Sequence, residues 1–439
     1  MTKPRRLQPS LTWHNRYTIC FLYLLAFAFL WLGYAFFIVP TIGAGFSWSP
    51  KGVKVLESLL VILFFVWFLP STIKRPSDFF VHIHFLLPVL PMLVLYGAAD
   101  YSRVYMYFVI MAFGIVCVVR KFHIPKIKSD IVPIVAMMWC SLIFVFIYIL
   151  YIISQGGLQY FNLDVQKVYE FRTSSAENMT PYIANWVANI LLPFILIVSV
   201  SGRKWLIACL AVFGSVMMFA LLSHKSMLFY PFLVLAIYFI MRSNKQNIIG
   251  LFLIIYIALI IISTLPFFLT QMSTSQPSPF SIVLGSLGFR RGYFTPAFLN
   301  FGYYEFFSNN PHTMWAESKF TFGLVDYSYN LSSTHLIGYH LFDNMDTGAN
   351  TAWMGTGYMH LGYAGLIIYA FIVGLLFAIV DMIAKGRNFS IIISILFTSF
   401  LALFINSDVP TVMLTHGFLF ALFLTWMCQL KNNFSTEAK

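Results

Sequence analysis

Two arginines stand side by side, Arg290 and Arg291, in a polar and aromatic insert spanning residues 270–354 between two long apolar runs. Arginine stays charged and pairs with phosphate bidentately, so an adjacent pair suits a pyrophosphate. Thr295 followed by Pro296 reads as an N-cap and first helical residue. Both arginines would then precede a helix N-terminus, where free backbone N–H groups and the helix dipole also favour an anion. Phe294, Phe298, Phe301, Tyr303, Tyr304, Phe306 and Phe307 fall on several faces of that short helix, which must be buried or lie against lipid.

Other groups with chemical potential lie elsewhere. The stretch 154–181 opens with Gly156 and Gly157 and carries Tyr169, Glu170 and Arg172 before Pro181 starts the next helix. Tyr160, Phe161, Leu163, Val168, Tyr169 and Phe171 make it too apolar for a plain solvent loop, so an interfacial or re-entrant segment is expected. Such a segment holds Arg172 at the level of lipid phosphates. His224 and Lys225 sit in a four-residue link, Ser223 to Ser226, at the outer membrane boundary or in a cavity between helices. A charge there is usually retained for a partner or a ligand.

The insert also holds His335, His340, Asp343, Asp346 and Asn350, whose spacing matches no calcium loop or zinc site. Asp343 to Asn350 reads as turn chemistry, and no metal or other cofactor is expected. His82 and His84 are two apart on a helix and face different ways. The five cysteines, Cys20, Cys117, Cys140, Cys209 and Cys428, fall in or beside apolar runs, which argues against a disulfide framework or thiol chemistry.

The elements that position these groups are membrane helices. The chain is 60% hydrophobic and only 10% charged over 439 residues, against about 25% charged residues in a soluble domain. The net charge of +12 is scattered through short connectors and forms no stripe, which argues against nucleic acid as a partner. Twelve runs are long and apolar enough for membrane helices: residues 17–39, 53–69, 79–97, 104–119, 131–153, 182–200, 205–222, 227–241, 248–269, 355–380, 391–407 and 412–428. The first lacks a cleavage-like site and is expected to remain as a signal anchor. The expected fold is therefore all-α, a single polytopic membrane domain over 1–439 with two larger outer loops, 154–181 and 270–354.

Orientation follows from the positive-inside tendency. With both termini inside, 18 of the 27 Lys and Arg residues fall in cytoplasmic segments, and every cytoplasmic connector is basic. The remaining nine sit where the rule disfavours them: Lys51, Lys54, Arg103, Lys167, Arg172, Lys225, Arg290, Arg291 and Lys319. Lys51, Lys54, Arg103 and Lys319 read as snorkelling or solvated charges, with Lys54 pairing to Glu57 one helical turn away. Gly355, Gly357, Gly362 and Gly365 open the tenth run and read as close helix packing.

With these features the chain resembles the Wzy-type O-antigen or oligosaccharide repeat-unit polymerases. About twelve helices, two arginine-bearing outer loops, and a late helix entered through Asn350, Gly357, Gly362 and Gly365 carry the likeness. Arg291 followed by ten residues and Gly302 fits the Arg-x10-Gly pattern of such polymerases, whereas Ile183 occupies the glycine place after Arg172. Lys225 falls where the family tends to carry a basic residue. The related O-antigen ligases carry a His-polar pair before two glycines; Gly362 and Gly365 fit the glycines, but Thr351 and Ala352 replace the pair.

The resemblance implies a GT-C-type glycosyltransferase without a metal, acting on undecaprenyl-diphosphate-linked glycans at the periplasmic face of the bacterial inner membrane, with membrane lipids and a chain-length regulator as partners. Arg172, Lys225, Arg290 and Arg291 would converge on the donor diphosphate, with His224, Tyr169 and Asn350 on the glycan or diphosphate. His335, His340, Asp326 and Glu170 are the candidates for the base that deprotonates the acceptor hydroxyl. A ligase of similar chemistry, or a flippase, is the rival reading. A flippase should show pseudo-repeated halves and short outer loops, and no such halving is evident.

Overall fold

The computed structural model describes residues 15–43, 45–127, 131–164, 181–243, 247–274 and 277–430. Among them the chain is all-helical, with one isolated bridge between Val132 and Cys428 and no strand. Nine helices among the described residues are long and apolar enough to cross a bilayer. They are α1 (Arg16–Ile42), α3 (Pro76–Ala98), α5 (Ile134–Ser154), α6 (Tyr182–Ser201), α7 (Trp205–Leu222), α8 (Lys225–Arg242), α9 (Ile248–Ser273), α12 (Trp353–Ala384) and the broken pair α14 (Val409–Leu414) and α15 (Phe418–Met427). Three further runs form helices of 17 residues, at the lower limit for a span: α2 (Gly52–Phe68), α4 (Arg103–Val119) and α13 (Phe389–Ile405). The insert contributes a long helix, α10 (residues 279–307), and a short one, α11 (Ser333–Phe342).

Burial sorts the helices. The apolar window of α3 is 94% buried inside the protein and that of α5 only 28%, so α3 is the central post and α5 presents Phe144, Phe146 and Ile147 outward. An apolar surface of this kind, spread along helices of span length, is what lipid covers. The protein is a multi-pass membrane protein.

Four helices carry a widened, π-helical turn, and each ends two residues before a proline: Tyr34–Ile38 before Pro40, Phe85–Val89 before Pro91, Val187–Leu191 before Pro193, and Gly285–Phe294 before Pro296. In each, the residue before the proline donates its N–H five residues back: Val39 to Tyr34, Leu90 to Phe85, Leu192 to Val187, Thr295 to Arg290. Proline lacks an N–H and its ring crowds the carbonyl four residues earlier, and one wider turn relieves that clash without ending the helix.

One end of the fold gathers the connectors expected to be cytoplasmic. Lys74, Arg75, Lys121, His123, Lys385 and Arg387 line one cavity there. Arg120, with 3% of its side chain exposed, donates to Asp78 at 2.8 Å and to Ser77 Oγ at 2.9 Å. Asp381 accepts from the Ser77 backbone N–H at 2.8 Å and its hydroxyl at 2.6 Å, and Arg75 approaches it at 3.3 Å. This network ties α3, α4 and α12 together. Arg120→Ala takes from the buried Asp78 carboxylate its closest cation, leaving the Lys74 and Arg75 backbone N–H groups and the longer Arg75 contact at 3.6 Å, and removing one partner of a buried pair costs up to about 3–5 kcal/mol. The expected result is a fall of several degrees in the melting temperature of the purified protein in detergent, with partial recovery in Arg120→Lys.

At the opposite end the expected Lys54–Glu57 pair is not formed. Lys54 instead reaches Asp100 at 2.6 Å, and Glu57 pairs with Arg103 at 3.1 Å and accepts from the Tyr96 hydroxyl. The Lys54 ammonium, with Lys51 beside it, holds the Asp100 carboxyl below its ordinary range. Cross-helix partners win because α2 and the 99–102 connector pack directly against each other. His82 and His84 do face different neighbours: His82 donates to the Pro70 carbonyl at 2.8 Å and meets Tyr23 OH at 2.6 Å, whereas His84 accepts from the Trp353 indole at 3.1 Å.

Candidate functional site

The insert folds mostly inward. Helix α10 is capped at Ser278, whose hydroxyl accepts from Ser281 N–H at 3.2 Å, not at Thr295. Its successive contacts descend α9: Ser281 Oγ lies 3.3 Å from Thr270 Oγ1, Gly288 packs on Ser263, and the Tyr293 ring meets Tyr256 edge-on at 5.1 Å. Tyr256 lies about 27 Å before Thr274, where the helix of α9 ends, at about 1.5 Å per residue. Beyond Thr295 the contacts return outward. Phe298 meets Phe46 at 4.8 Å, Phe301 stacks on Tyr101 at 4.2 Å and Tyr304 on Tyr105 at 4.5 Å. The helix is re-entrant, and its widened turn from Gly285 to Phe294 is the inward limb and tip.

Arg290 and Arg291 lie on this turn. Arg290 is half-buried and its Nε is buried without a hydrogen-bond partner; Arg291 is exposed. Neither has an acidic partner among the described residues. The expectation that they precede a helix N-terminus is corrected. The Thr295 N–H already bonds to the Arg290 carbonyl, so no free N–H groups stand beside the arginines. Arg291 continues the exposed stripe Phe280, Val283 and Leu287 at helical spacing.

A second re-entrant limb comes from α12. The helix breaks at Leu361 (φ −151°, ψ 31°) and Gly362 (φ 58°, ψ −142°), a left-handed position that suits glycine. Its first arm, 353–360, folds back on the second so tightly that a Cβ on Gly365 would lie 2.1 Å from the Gly357 carbonyl oxygen. The arm starts deep: Trp353 donates to His84, which lies about 12 Å along α3 from Pro76 and about 21 Å from Ala98. The expected close packing at Gly355, Gly357 and Gly365 is therefore packing within one folded helix and against Asn300 of α10.

Between the limbs lies a polar cavity of about 300 Å³. Its lining includes Glu317, Asn350, Thr351, His360, Asn406 and Asp408. The loop before α11 clamps its wall: Thr313 N–H and Met314 N–H donate to the Met359 and His360 carbonyls, both at 3.1 Å. Met314 and Trp315 hold left-handed backbone (φ 46° and 60°), a strained conformation that persists only where surroundings dictate it. The Trp315 ring stacks on His360 at 4.9 Å and its indole donates to Tyr369 OH at 2.7 Å.

The hydrogen bonds settle the His360 tautomer. The Trp315 backbone N–H donates to Nδ1 at 3.2 Å, and Thr313 Oγ1 lies 2.8 Å from the same nitrogen. Nδ1 is therefore an acceptor, and the proton on Nε2 is donated to Asp408 Oδ2 at 3.0 Å. Asp408 Oδ1 is buried and accepts no hydrogen bond. Glu317 caps α11 through Ser333 N–H at 3.1 and 3.2 Å. Tyr303 donates to the Ala349 carbonyl at 3.0 Å; burial first, then the charges of Asp408 and Glu317, pushes its hydroxyl well above the ordinary tyrosine range.

Of the residues singled out in the sequence, Asn350 lines this cavity. His335 is exposed on α11, its ring beside Gly348 and outside the lining, although its neighbour Thr334 is in it. His340 is exposed against Phe306, and Asp326 is exposed. His224 and Lys225 are half-buried at the start of α8, after the left-handed Ser223, and both have partners. They neighbour the 157–164 turn, where Asn162 N–H donates to the Ala220 carbonyl at 2.8 Å. Tyr169, Glu170 and Arg172 lie outside the described residues. Neither arginine is in the cavity lining; α10 is what joins them to it, since Thr351, in the lining, donates to the Pro296 carbonyl at 3.4 Å and Pro296 follows Arg290 by about 9 Å of helix.

His360, Asp408 and Glu317 escaped the sequence reading. A histidine inside an apolar run and an aspartate at the mouth of the next are the signals that mark the first two, because ionisable residues in a membrane are costly. The chain matches no known protein-family profile, no curated protein sequence and no solved structure.

Proposed function

We propose that this protein is a polymerase of undecaprenyl-diphosphate-linked oligosaccharide repeat units, of the Wzy type, a twelve-pass inner-membrane enzyme with both termini in the cytoplasm and its site open to the periplasm. The observation that carries the reading is the arginine pair on a re-entrant helix: two adjacent guanidinium groups without an acidic partner among the described residues, one of them with a buried Nε that has no hydrogen-bond partner there. Uncompensated charge at such a place is expensive, and a lipid diphosphate arriving from the bilayer is an anion that offsets it. Arg290 and Arg291 bind the diphosphate and stabilise the negative charge that grows as the glycan leaves it, an electrostatic role. The adjoining polar cavity, with hydroxyl, amide and carboxylate groups, fits a sugar.

In this reading the growing glycan moves from its carrier to the non-reducing end of an incoming lipid-linked unit. The test is extension of a defined lipid-linked repeat unit by the purified protein in proteoliposomes without added metal. A ladder of longer glycans is expected; transfer only to a lipid A core acceptor would mark a ligase instead, and unit translocation without transfer a flippase.

A further inference from the structure

We infer that Asp408 is the base that takes the acceptor hydroxyl proton, and that His360 is the residue that positions it; this rests on the transfer reading above. The carboxylate lines the polar cavity and is 18% exposed, whereas His360 is 4% exposed. Both ring nitrogens of His360 are engaged, Nδ1 by the Trp315 N–H and Nε2 by Asp408, so the imidazole has no lone pair to offer a substrate. Asp408 does. Oδ2 is held by the imidazole at one lone pair only, and the carboxylate interacts with the Tyr369 hydroxyl without a hydrogen bond of ordinary length to Oδ1.

A sugar hydroxyl entering the cavity donates to the exposed part of this carboxylate, and that same hydrogen bond is the path for its proton. The surroundings fix the carboxylate for this task. Asp408 immediately precedes α14, its ring partner is pinned by the 313–315 clamp, and the indole of Trp315 covers the face of the imidazole.

The acceptor oxygen forms the new bond to the anomeric carbon while the bond from that carbon to the carrier phosphate oxygen breaks, and its electron pair departs with the diphosphate facing Arg290 and Arg291. The acceptor proton passes to the Asp408 carboxylate and later leaves through the cavity to water. No oxidant, reductant or co-reactant is needed.

The acceptor unit enters the cavity between α10 and α12, and the donor diphosphate sits at the tip of α10, about 9 Å from Pro296 along the helix. Thr351, which touches Pro296 and lines the cavity, marks the boundary between them.

The experiment compares wild type, Asp408→Asn and His360→Gln in the proteoliposome extension assay, with pH profiles and melting temperatures. Asp408→Asn should lower kcat by about 10²- to 10⁴-fold with KM for the acceptor little changed. A hydrogen bond donated to a carboxylate favours its charged form, so weakening it in His360→Gln should move the acid limb of kcat/KM to higher pH. If wild type extends the units and Asp408→Asn does so at a similar rate, the assignment of the base is overturned and the polymerase reading survives. If wild type extends nothing, both are overturned. Should Asp408→Asn melt early, the His360→Gln profile decides: an unmoved acid limb overturns the pairing, and a limb moved upward supports it.

Discussion

On the proposed polymerase reading, Arg291→Ala is expected to lower the rate of repeat-unit transfer by about 10²- to 10³-fold, the usual effect of removing one donor aimed at developing negative charge. Arg291→Lys recovers only part of it, because an ammonium cannot grip a phosphate bidentately. The distinctive expectation concerns stability. Arg290 and Arg291 are like charges side by side with no acidic partner among the described residues, and Arg290 is half-buried. Removing either relieves repulsion and desolvation, so Arg290→Met and Arg291→Ala should melt at or above the wild-type temperature while chain extension collapses. A fall in melting temperature that matches the loss of transfer would show instead that the pair holds the helix in place. The measurements are glycan ladders in cells lacking the native gene copy and thermal unfolding of the same purified variants.

Gly365→Val should abolish both folding yield and transfer. Even the first carbon of a side chain would lie 2.1 Å from the Gly357 carbonyl oxygen, a backbone atom that cannot rotate away. The short arm carrying His360 would have to separate from the long arm, and overpacking of this kind costs about 3 kcal/mol, the upper part of the usual range. Gly114→Ala in α4 is the control: nothing lies within 4 Å of the added carbon, and helix propensity predicts a gain of up to about 1 kcal/mol. Monodisperse elution and melting temperature of the two variants give the comparison. Equal behaviour would mean that the α12 hairpin is not packed as described.

Much of the architecture is legible in the chain because membrane helices are written in their own composition. Each of the twelve apolar runs falls on a helix, and the break at 414–418 that splits the last run into α14 and α15 is marked by Gly417, whose φ is 76°. The prolines at 40, 91, 193 and 296 mark every widened turn, although only the structure shows that Pro296 continues a helix where a first-turn position was expected. Both roles satisfy the missing N–H. What separates them is whether the preceding residues already form helix, and that depends on the packing of Gly285 against Phe37 and Gly288 against Ser263.

The candidate site was only half visible. Arg290, Arg291 and Asn350 stand out because polar groups in an apolar sequence are conspicuous one at a time. The His360–Asp408 pair does not, since its members are 48 residues apart and each looks like an isolated helix-end residue. Of the candidates for the base that the sequence offers, His335, His340 and Asp326 are exposed, and Glu170 lies outside the described residues.

By itself the sequence determined that this is an all-helical membrane protein with an unusual cationic insert, because hydropathy over about 20 residues and the placement of Lys and Arg are local properties that the bilayer reads directly. Only the tertiary structure decided that the insert re-enters the protein, that α12 folds back at Gly362, and that Asp408 is held by an imidazole whose two nitrogens are both engaged. Those are decisions of packing and hydrogen-bond partnership between distant segments. A one-dimensional pattern holds the residues but not their neighbours.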